Sequence, residues 1–199
     1  MARDPLTPDD LQEQTLQSER LYEGRVVSLR RDTLRLADGH EAVREVVEHR
    51  PSVVVLALDE DGRIAFVRQW RTPAGGVLLE LPAGVIEPDE RPEAAAAREL
   101  QEEVGLKPGA LERVHGFYAA PGWATEYLHG FIARDCEPSP LPADSDERVV
   151  VEFYTLGEAM RLVADGEIKD AKSILMLQAL ALRAVGALGE KVIRFYRGD

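Results

Sequence analysis

The segment spanning residues 84–106 limits what this chain can fold into more than any other part of the sequence. It begins and nearly ends with glycine and is rich in alanine between them. Pro92 suits the first turn of a helix, Glu93 favours the N-terminal dipole and Gly105 ends the helix, so we predict a helix over residues 92–104. The charged residues around this helix stand at fixed intervals: Glu90, Arg98, Glu99, Glu102 and Glu103.

Three of these carboxylates fall on one helix face, because residues three and four positions apart are neighbours on a helix. Glu99, Glu102 and Glu103 would repel one another without a cation between them. Mg²⁺ binds such hard oxygen ligands together with substrate phosphates, which indicates metal-assisted chemistry on an anionic substrate. The backbone carbonyl of Ala83 is a candidate for a further ligand. The competing interpretation is an ordinary solvated helix face.

Arg98 lies beside these acids and cannot lose its proton. It is placed to hold a carboxylate in one orientation, and Glu90 is the partner that we expect. Such an arginine would tune the geometry of the metal ligands without touching the substrate.

The N-terminal quarter of the chain predicts a small antiparallel sheet. Residues 1–18 are polar and contain two prolines, which favours a flexible tail. Residues 19–49 carry strand-like patterns with an Asp-Gly hairpin signal, and three strands are predicted at 21–29, 31–36 and 42–48. Three such strands do not make a stable unit alone, so the sheet must pack on the main domain or on a partner subunit, and we expect it to form a dimer contact.

The main domain is predicted to cover residues 50–199. Strands and helices alternate there without a strict βαβ repeat, which indicates an α+β fold or a mixed-sheet sandwich. Further helices are predicted at 157–165 and 171–185, and strands at 53–58, 64–70, 78–84, 111–118, 126–133 and 149–154.

The composition restricts the compartment and the classes of partner that we expect for the protein. The 199 residues include one cysteine, which excludes a disulfide framework within the chain and favours a reducing compartment, so we expect a cytoplasmic protein. No apolar run approaches the length that spans a bilayer, so no membrane partner is expected. The formal net charge of −12 gives no basic footprint for nucleic acid.

The whole 84–106 segment resembles the Nudix box. The pattern is Gly, five residues, Glu, seven residues, Arg-Glu, an aliphatic, any residue, Glu-Glu, any residue, Gly and an aliphatic, and the chain departs from it nowhere. The resemblance implies the Nudix α/β/α sandwich and hydrolysis of a nucleoside diphosphate linked to another moiety, with Mg²⁺ or Mn²⁺. It also implies that Glu99, Glu102 and Glu103 ligate the metal.

Other positions resemble the ADP-ribose pyrophosphatase branch of that family. Pro121 follows the box by 15 residues, and the segments 45–49, 67–71 and 80–84 also look like that branch. The implied reaction is hydrolysis of ADP-ribose to AMP and ribose 5-phosphate. Two alternatives stay open: a broader nucleotide-sugar hydrolase, such as one acting on GDP-mannose, and a ligand sensor built on a Nudix scaffold.

The branch resemblance assigns roles outside the box. Arg71 would contact the pyrophosphate, and Glu126 would hold the distal ribose or the attacking water. Glu45 and Val26, with Arg25 nearby, would approach the adenine from the sheet of a second subunit, which implies a homodimer. Val26 could equally be a plain strand residue. Gly122 lies among the expected substrate-binding positions, and its neighbour Trp123 either lines the site or plugs a loop.

The general base is assigned to an acidic loop late in the chain. In the resembling branch the base comes from such a loop, which here is the segment 142–147. Glu147 fits best by its distance to the following strand. The rival candidates are Glu102, Glu103 and a water-bridged Glu126.

Overall fold

The computed structural model describes residues 7–142 and 148–187. Within them the chain forms two compact units: one contains the chain up to Pro51 with Tyr118–Tyr127, and the other contains Ser52–Phe117 and the chain from Leu128 onwards. No helix among these residues is long and apolar enough to cross a membrane. The strands and α-helices are β1 (Glu13–Glu23), β2 (Val27–Leu36), β3 (Glu41–His49), β4 (Ser52–Ala57), β5 (Ile64–Arg71), β6 (Gly76–Glu80), β7 (Ala83–Val85), α1 (Pro92–Glu103), β8 (Leu106–Lys107), β9 (Ala110–Tyr118), β10 (Tyr127–Arg134), β11 (Glu137–Pro138), β12 (Val149–Tyr154), α2 (Leu156–Ala164) and α3 (Ala171–Ala187).

The first unit is built on the antiparallel sheet β1-β2-β3. Two predicted bounds are wrong here. β1 begins at Glu13, inside the segment predicted as a tail. The sequence did not predict this start because the first residues of β1 are mostly polar and all of the strand is exposed. The predicted strand at 21–29 is two strands separated by a turn, in which the Gly24 amide donates to the Val27 carbonyl at 3.0 Å.

Gly24 is required at that turn. A Cβ atom there would lie 2.7 Å from the Tyr22 ring and 2.8 Å from the Val27 carbonyl oxygen. These distances are shorter than real contacts allow, so the chain reverses here only with glycine.

A loop from later in the chain joins the first unit beside β3. The Val47 amide donates to the Trp123 carbonyl at 2.8 Å, and the Thr125 amide donates to the Val47 carbonyl at 3.0 Å. The His49 amide also donates to the Thr125 hydroxyl at 3.0 Å. These hydrogen bonds fix the segment 119–126 against the sheet.

The second unit has two sheets, β7-β4-β10-β9 and β12-β5-β6, and a small β8-β11 pair. Alternate residues of β4 face opposite cores, as the two-residue period of a strand requires. Val53 and Val55 pack with the apolar residues of α1. Val54 and Leu56 pack with residues of α2 and α3. Helices therefore cover both sides of β4, and the α+β prediction with an α/β/α sandwich is confirmed.

The predicted strand at 78–84 is wrong in one respect, because it breaks into β6 and β7. Pro82 has no amide hydrogen, so it cannot donate to a ladder. Its carbonyl instead accepts from the Val55 amide at 2.9 Å. The break carries the chain from the β5 sheet to the β4 sheet.

Ser173 fastens the first turn of α3 to the end of β6. Its hydroxyl is fully buried and accepts from the Leu81 amide at 2.8 Å. The same hydroxyl donates to Asp170 at 2.5 Å, and the Ser173 amide donates to that carboxylate at 3.0 Å.

We expect Ser173→Ala to lower the free energy of unfolding by about 1–3 kcal/mol, because it leaves a buried amide without its acceptor. Ser139→Ala is the matched control: its hydroxyl shares the Gln101 amide with the Ser139 carbonyl, which accepts at the shorter distance of 2.9 Å. The control should change stability by no more than about 0.5 kcal/mol. Urea unfolding of both variants measures the difference, and equal midpoints would contradict the assignment.

Candidate active site

Gly84 lets a backbone strand and a carboxylate approach more closely than any side chain would allow. A Cβ atom at Gly84 would lie 2.0 Å from the carboxyl carbon of Glu99 and 2.1 Å from its Oε1. Gly84 belongs to β7, where it pairs with Val53. The sheet and α1 therefore meet at this glycine, and the Glu99 carboxylate rests directly on the backbone.

Arg98 gathers the carboxylates of the 84–106 segment. The predicted pair with Glu90 is present and bidentate, with Nε–Oε1 at 2.9 Å and Nη2–Oε2 at 3.0 Å. Nη1 donates to Glu99 at 2.7 Å and to Glu102 at 2.8 Å. Nη2 also donates to the Val85 carbonyl at 3.1 Å. One guanidinium thus joins α1, the preceding loop and β7.

The electrostatics of this group follow from these contacts. Hydrogen bonding to Glu90 is the main cause that raises the pKa of Arg98. The same bond is the main cause that lowers the pKa of Glu90. Both groups are therefore held in their charged forms, as expected of charge-assisted bidentate pairs.

Glu103 bonds to Ala83, the residue of β7 that precedes Gly84. It is buried, and its Oε2 accepts from the Ala83 amide at 2.9 Å. This contact fixes the peptide unit next to the Ala83 carbonyl that the sequence suggested as a metal ligand. The predicted ligands are therefore brought to one place, but they do not all point to one centre: Glu99 and Glu102 share Arg98, while Glu103 bonds to the backbone.

The residues fit a hard divalent cation by their chemistry. Within residues 7–142 and 148–187 no group of three or more His, Cys, Asp or Glu side chains is arranged to hold a metal ion. Arg98 Nη1 donates to one oxygen of Glu99 and one of Glu102, two of the side chains that were predicted to ligate. One arginine offsets only one of the four carboxylate charges, however, so the cluster keeps the negative charge and oxygen donors that such cations bind.

Arg71 lies in the same unit and is anchored to a buried carboxylate. Its Nε and Nη2 donate to the two oxygens of Glu80 at 2.8 and 2.9 Å. Lys172 Nζ donates to Glu80 Oε2 at 2.5 Å. Burial opposes ionisation of Glu80, but the bonds from Arg71 and Lys172 hold its pKa below the usual value.

Sequence reasoning missed the roles of Glu80 and Lys172. Glu80 carried a signal, since it is a single charge within the apolar run Val77-Leu78-Leu79-Glu80-Leu81. A charge in such a run is rarely buried unless it is paired. Lys172 carried no comparable signal, because it lies 92 residues from its partner in the sequence.

The remaining predicted positions lie in the first unit. Arg25 and Val26 occupy the turn between β1 and β2, and Val26 is 55% exposed. Glu45 is an exposed residue of β3. The other positions, Gly122, Trp123 and Glu126, are in the 119–126 segment. A Cβ atom added at Gly122 would meet nothing within 4 Å, and Trp123 is exposed. Glu126 Oε1 lies 3.8 Å from His49 Nδ1.

Glu147, the assigned base, lies outside the described residues. The strand that follows it is β12, whose first residue, Val149, pairs with Gln69 of β5.

Comparison with known proteins finds two matching domain families. The profile of the NUDIX domain matches residues 48–177, and that of the nucleoside diphosphate sugar hydrolase N-terminal domain matches residues 13–47. ADP-ribose pyrophosphatase of Bacillus subtilis (strain 168) is 37% identical over 175 residues, which cover 87% of this chain and 95% of that protein. GDP-mannose pyrophosphatase of Cronobacter sakazakii is 34% identical over 158 residues, covering 71% of this chain and 82% of that protein.

A solved structure shares the fold. A crystal structure of an ADP compounds hydrolase superposes with a TM-score of 0.81 at 24% identity, covering 89% of this chain and 97% of the other. Enzymes of the matched family generally use divalent metal ions, in keeping with the oxygen donors around Arg98. The chain therefore belongs to the Nudix family of hydrolases, and a nucleoside diphosphate sugar hydrolase N-terminal domain precedes its Nudix domain.

Proposed function

We propose that this protein hydrolyses ADP-ribose to AMP and ribose 5-phosphate with Mg²⁺, for which Mn²⁺ can substitute. The observation that carries the proposal is the carboxylate group around Arg98, with Glu99 resting on the Gly84 backbone. All four carboxylates of the box are present, which favours catalysis over a sensor that only binds its ligand.

The substrate assignment rests on relatives. The Bacillus subtilis protein named ADP-ribose pyrophosphatase aligns over nearly its full length. A GDP-mannose pyrophosphatase aligns over less of the chain, which keeps a broader nucleoside diphosphate sugar specificity as the second candidate. Both substrates contain a pyrophosphate linked to a sugar, so the cleavage chemistry is shared and only the recognition of base and sugar differs.

The reaction places few demands on covalent chemistry. A water oxygen attacks phosphorus, the bridging P–O bond breaks, and the proton of the water passes to a base. Mg²⁺, when bound, neutralises phosphate charge and lowers the pKa of a bound water. Glu99, Glu102, Glu103 and the Ala83 carbonyl would hold it. Positioning and electrostatics supply most of the rate in such transfers.

The chain's own side chains have separate roles in this proposal. Arg98 orients Glu99 and Glu102 through Nη1, while Glu90 holds the other edge of its guanidinium. Arg71 donates hydrogen bonds to the pyrophosphate. The base is Glu147, with Glu102, Glu103 and Glu126 as rivals.

The first unit supplies recognition. Arg25, Val26 and Glu45 contact the adenine, and Gly122 and Glu126 contact the distal part of the substrate. We infer a homodimer, in which the N-terminal sheet of one subunit serves its partner, and a cytoplasmic enzyme. Size-exclusion chromatography with light scattering tests the dimer directly.

A substrate panel tests the proposed activity. With Mg²⁺ the protein should release AMP from ADP-ribose, and its kcat/KM for ADP-ribose should exceed that for GDP-mannose by at least about tenfold, a difference of 1.4 kcal/mol in transition-state binding. Excess EDTA should abolish turnover, and Mn²⁺ should restore it. Higher kcat/KM for GDP-mannose would favour the second candidate, and no turnover of any nucleoside diphosphate would refute the proposal.

Glu103→Gln should lower kcat by at least about 100-fold, because it removes a metal-binding charge. The amide oxygen of glutamine can still accept from the Ala83 amide, so the fold should persist. Circular dichroism and thermal unfolding check that persistence. Undiminished activity of a folded variant would remove Glu103 from the metal site.

Gly84→Ala should lower kcat at least about tenfold, because the added methyl group must displace Glu99. Gly157→Ala is the matched control, since a Cβ atom there meets nothing within 4 Å. The control should retain wild-type activity. Equal activity of the two variants would show that the close approach of Gly84 and Glu99 does not matter for catalysis.

A further inference from the structure

Glu80 is a buried carboxylate held between two cations. The residue is 1% exposed, and it bonds Arg71 through both oxygens and Lys172 through one. Burying a charge is costly unless it is paired, and one arginine in a bidentate pair already meets that need. The second cation therefore calls for an explanation beyond neutralising Glu80.

The second cation comes from the first turn of α3. Lys172 Nζ lies 3.0 Å from Asp170 Oδ1 as well as 2.5 Å from Glu80. In the same turn, Ser173 accepts from the amide of Leu81, the residue after Glu80. Side chain and backbone at the end of β6 are thus bonded to neighbouring residues of one helical turn.

Asp170, which directly precedes α3, is hydrogen-bonded to the first turn of that helix. Its Oδ2 accepts from the Ser173 amide at 3.0 Å and from the Ser173 hydroxyl at 2.5 Å. A carboxylate at a helix N-terminus is also stabilised by the helix dipole. Lys172 is therefore shared between Glu80 and Asp170, and it gives Glu80 a second counter-ion beside Arg71. Arg71 is not the sole counter-ion of Glu80.

The guanidinium of Arg71 is oriented by the same contact. Glu80 engages the Nε and Nη2 edge, so Nη1 points away from Glu80 in the plane of the group. The side chain is 39% exposed, so that it can reach an anionic ligand.

We propose that Lys172 and Glu80 are positioning residues that set the direction and the available positive charge of Arg71 for the pyrophosphate. This inference rests on the proposed function of Arg71. Lys172 itself does not touch the substrate and acts only through Glu80 and Arg71.

A double-mutant cycle tests this dependence. The variants are Lys172→Met, Arg71→Met and the combination, and KM and kcat for ADP-ribose are measured with Mg²⁺. Lys172→Met should raise KM about tenfold with little change in kcat, because it weakens binding that substrate and transition state share. In the Arg71→Met background it should change KM less than about twofold.

Matched variants separate charge from general disruption. Lys169→Met removes the same charge from an exposed position three residues away and should leave KM unchanged. Lys172→Arg should restore most of the KM lost in Lys172→Met. Should Lys172→Met fail to fold, Lys172→Gln gives the same cycle with a polar replacement, and thermal unfolding monitors each variant.

Several results would overturn the inference. An equal rise in KM with and without Arg71 would show that Lys172 acts by another route. A fall in thermal stability with unchanged KM would make Lys172 a purely structural residue.

Failure of the proposed function would look different. In that case the wild-type protein itself would not release AMP from ADP-ribose. The cycle would then be read on whichever nucleoside diphosphate it cleaves. If it cleaves none, calorimetric binding of inorganic pyrophosphate gives the reading, with the same pattern of affinities expected.

Discussion

The site depends on the ion pairs that one guanidinium makes with several carboxylates. Arg98 binds Glu90 with one edge and divides its remaining Nη1 between Glu99 and Glu102. Without it, the carboxylates of α1 and the preceding loop would repel one another. Because a single positive charge cannot balance four carboxylates, the same arrangement that assembles the cluster leaves it able to take up a cation.

The box could be predicted from the sequence because its information is local. The helix over 92–104 follows from its proline, glutamate and glycine, and Arg98–Glu90 follows from spacing. Contacts between distant segments carried no such signal, so Lys172 beside Glu80 was not foreseen. The start of β1 escaped prediction because its first residues are mostly polar, and Pro82 divided the strand that was predicted at 78–84.

The residues proposed for cleavage and those proposed for recognition lie in different units. The carboxylates, Arg71 and Glu80 belong to the second, and every position proposed to read base or sugar belongs to the first. The matched domains divide between residues 47 and 48, so Arg25, Val26 and Glu45 fall in the N-terminal match, whereas Gly122 and Glu126 fall in the NUDIX match. Under the proposed roles, changes in the first unit would alter substrate preference without altering the carboxylates of the second.

The break between β6 and β7 joins the two parts of the candidate site in the second unit. This short piece of chain crosses from one sheet to the other, with Glu80 on one side of the crossing and Gly84 on the other. The candidate metal ligands lie on the Gly84 side, on β7 and α1, whereas Arg71 is held by Glu80 on the other side. A change in the length of this crossing would therefore shift the candidate metal ligands against Arg71, so we expect it to tolerate no insertion.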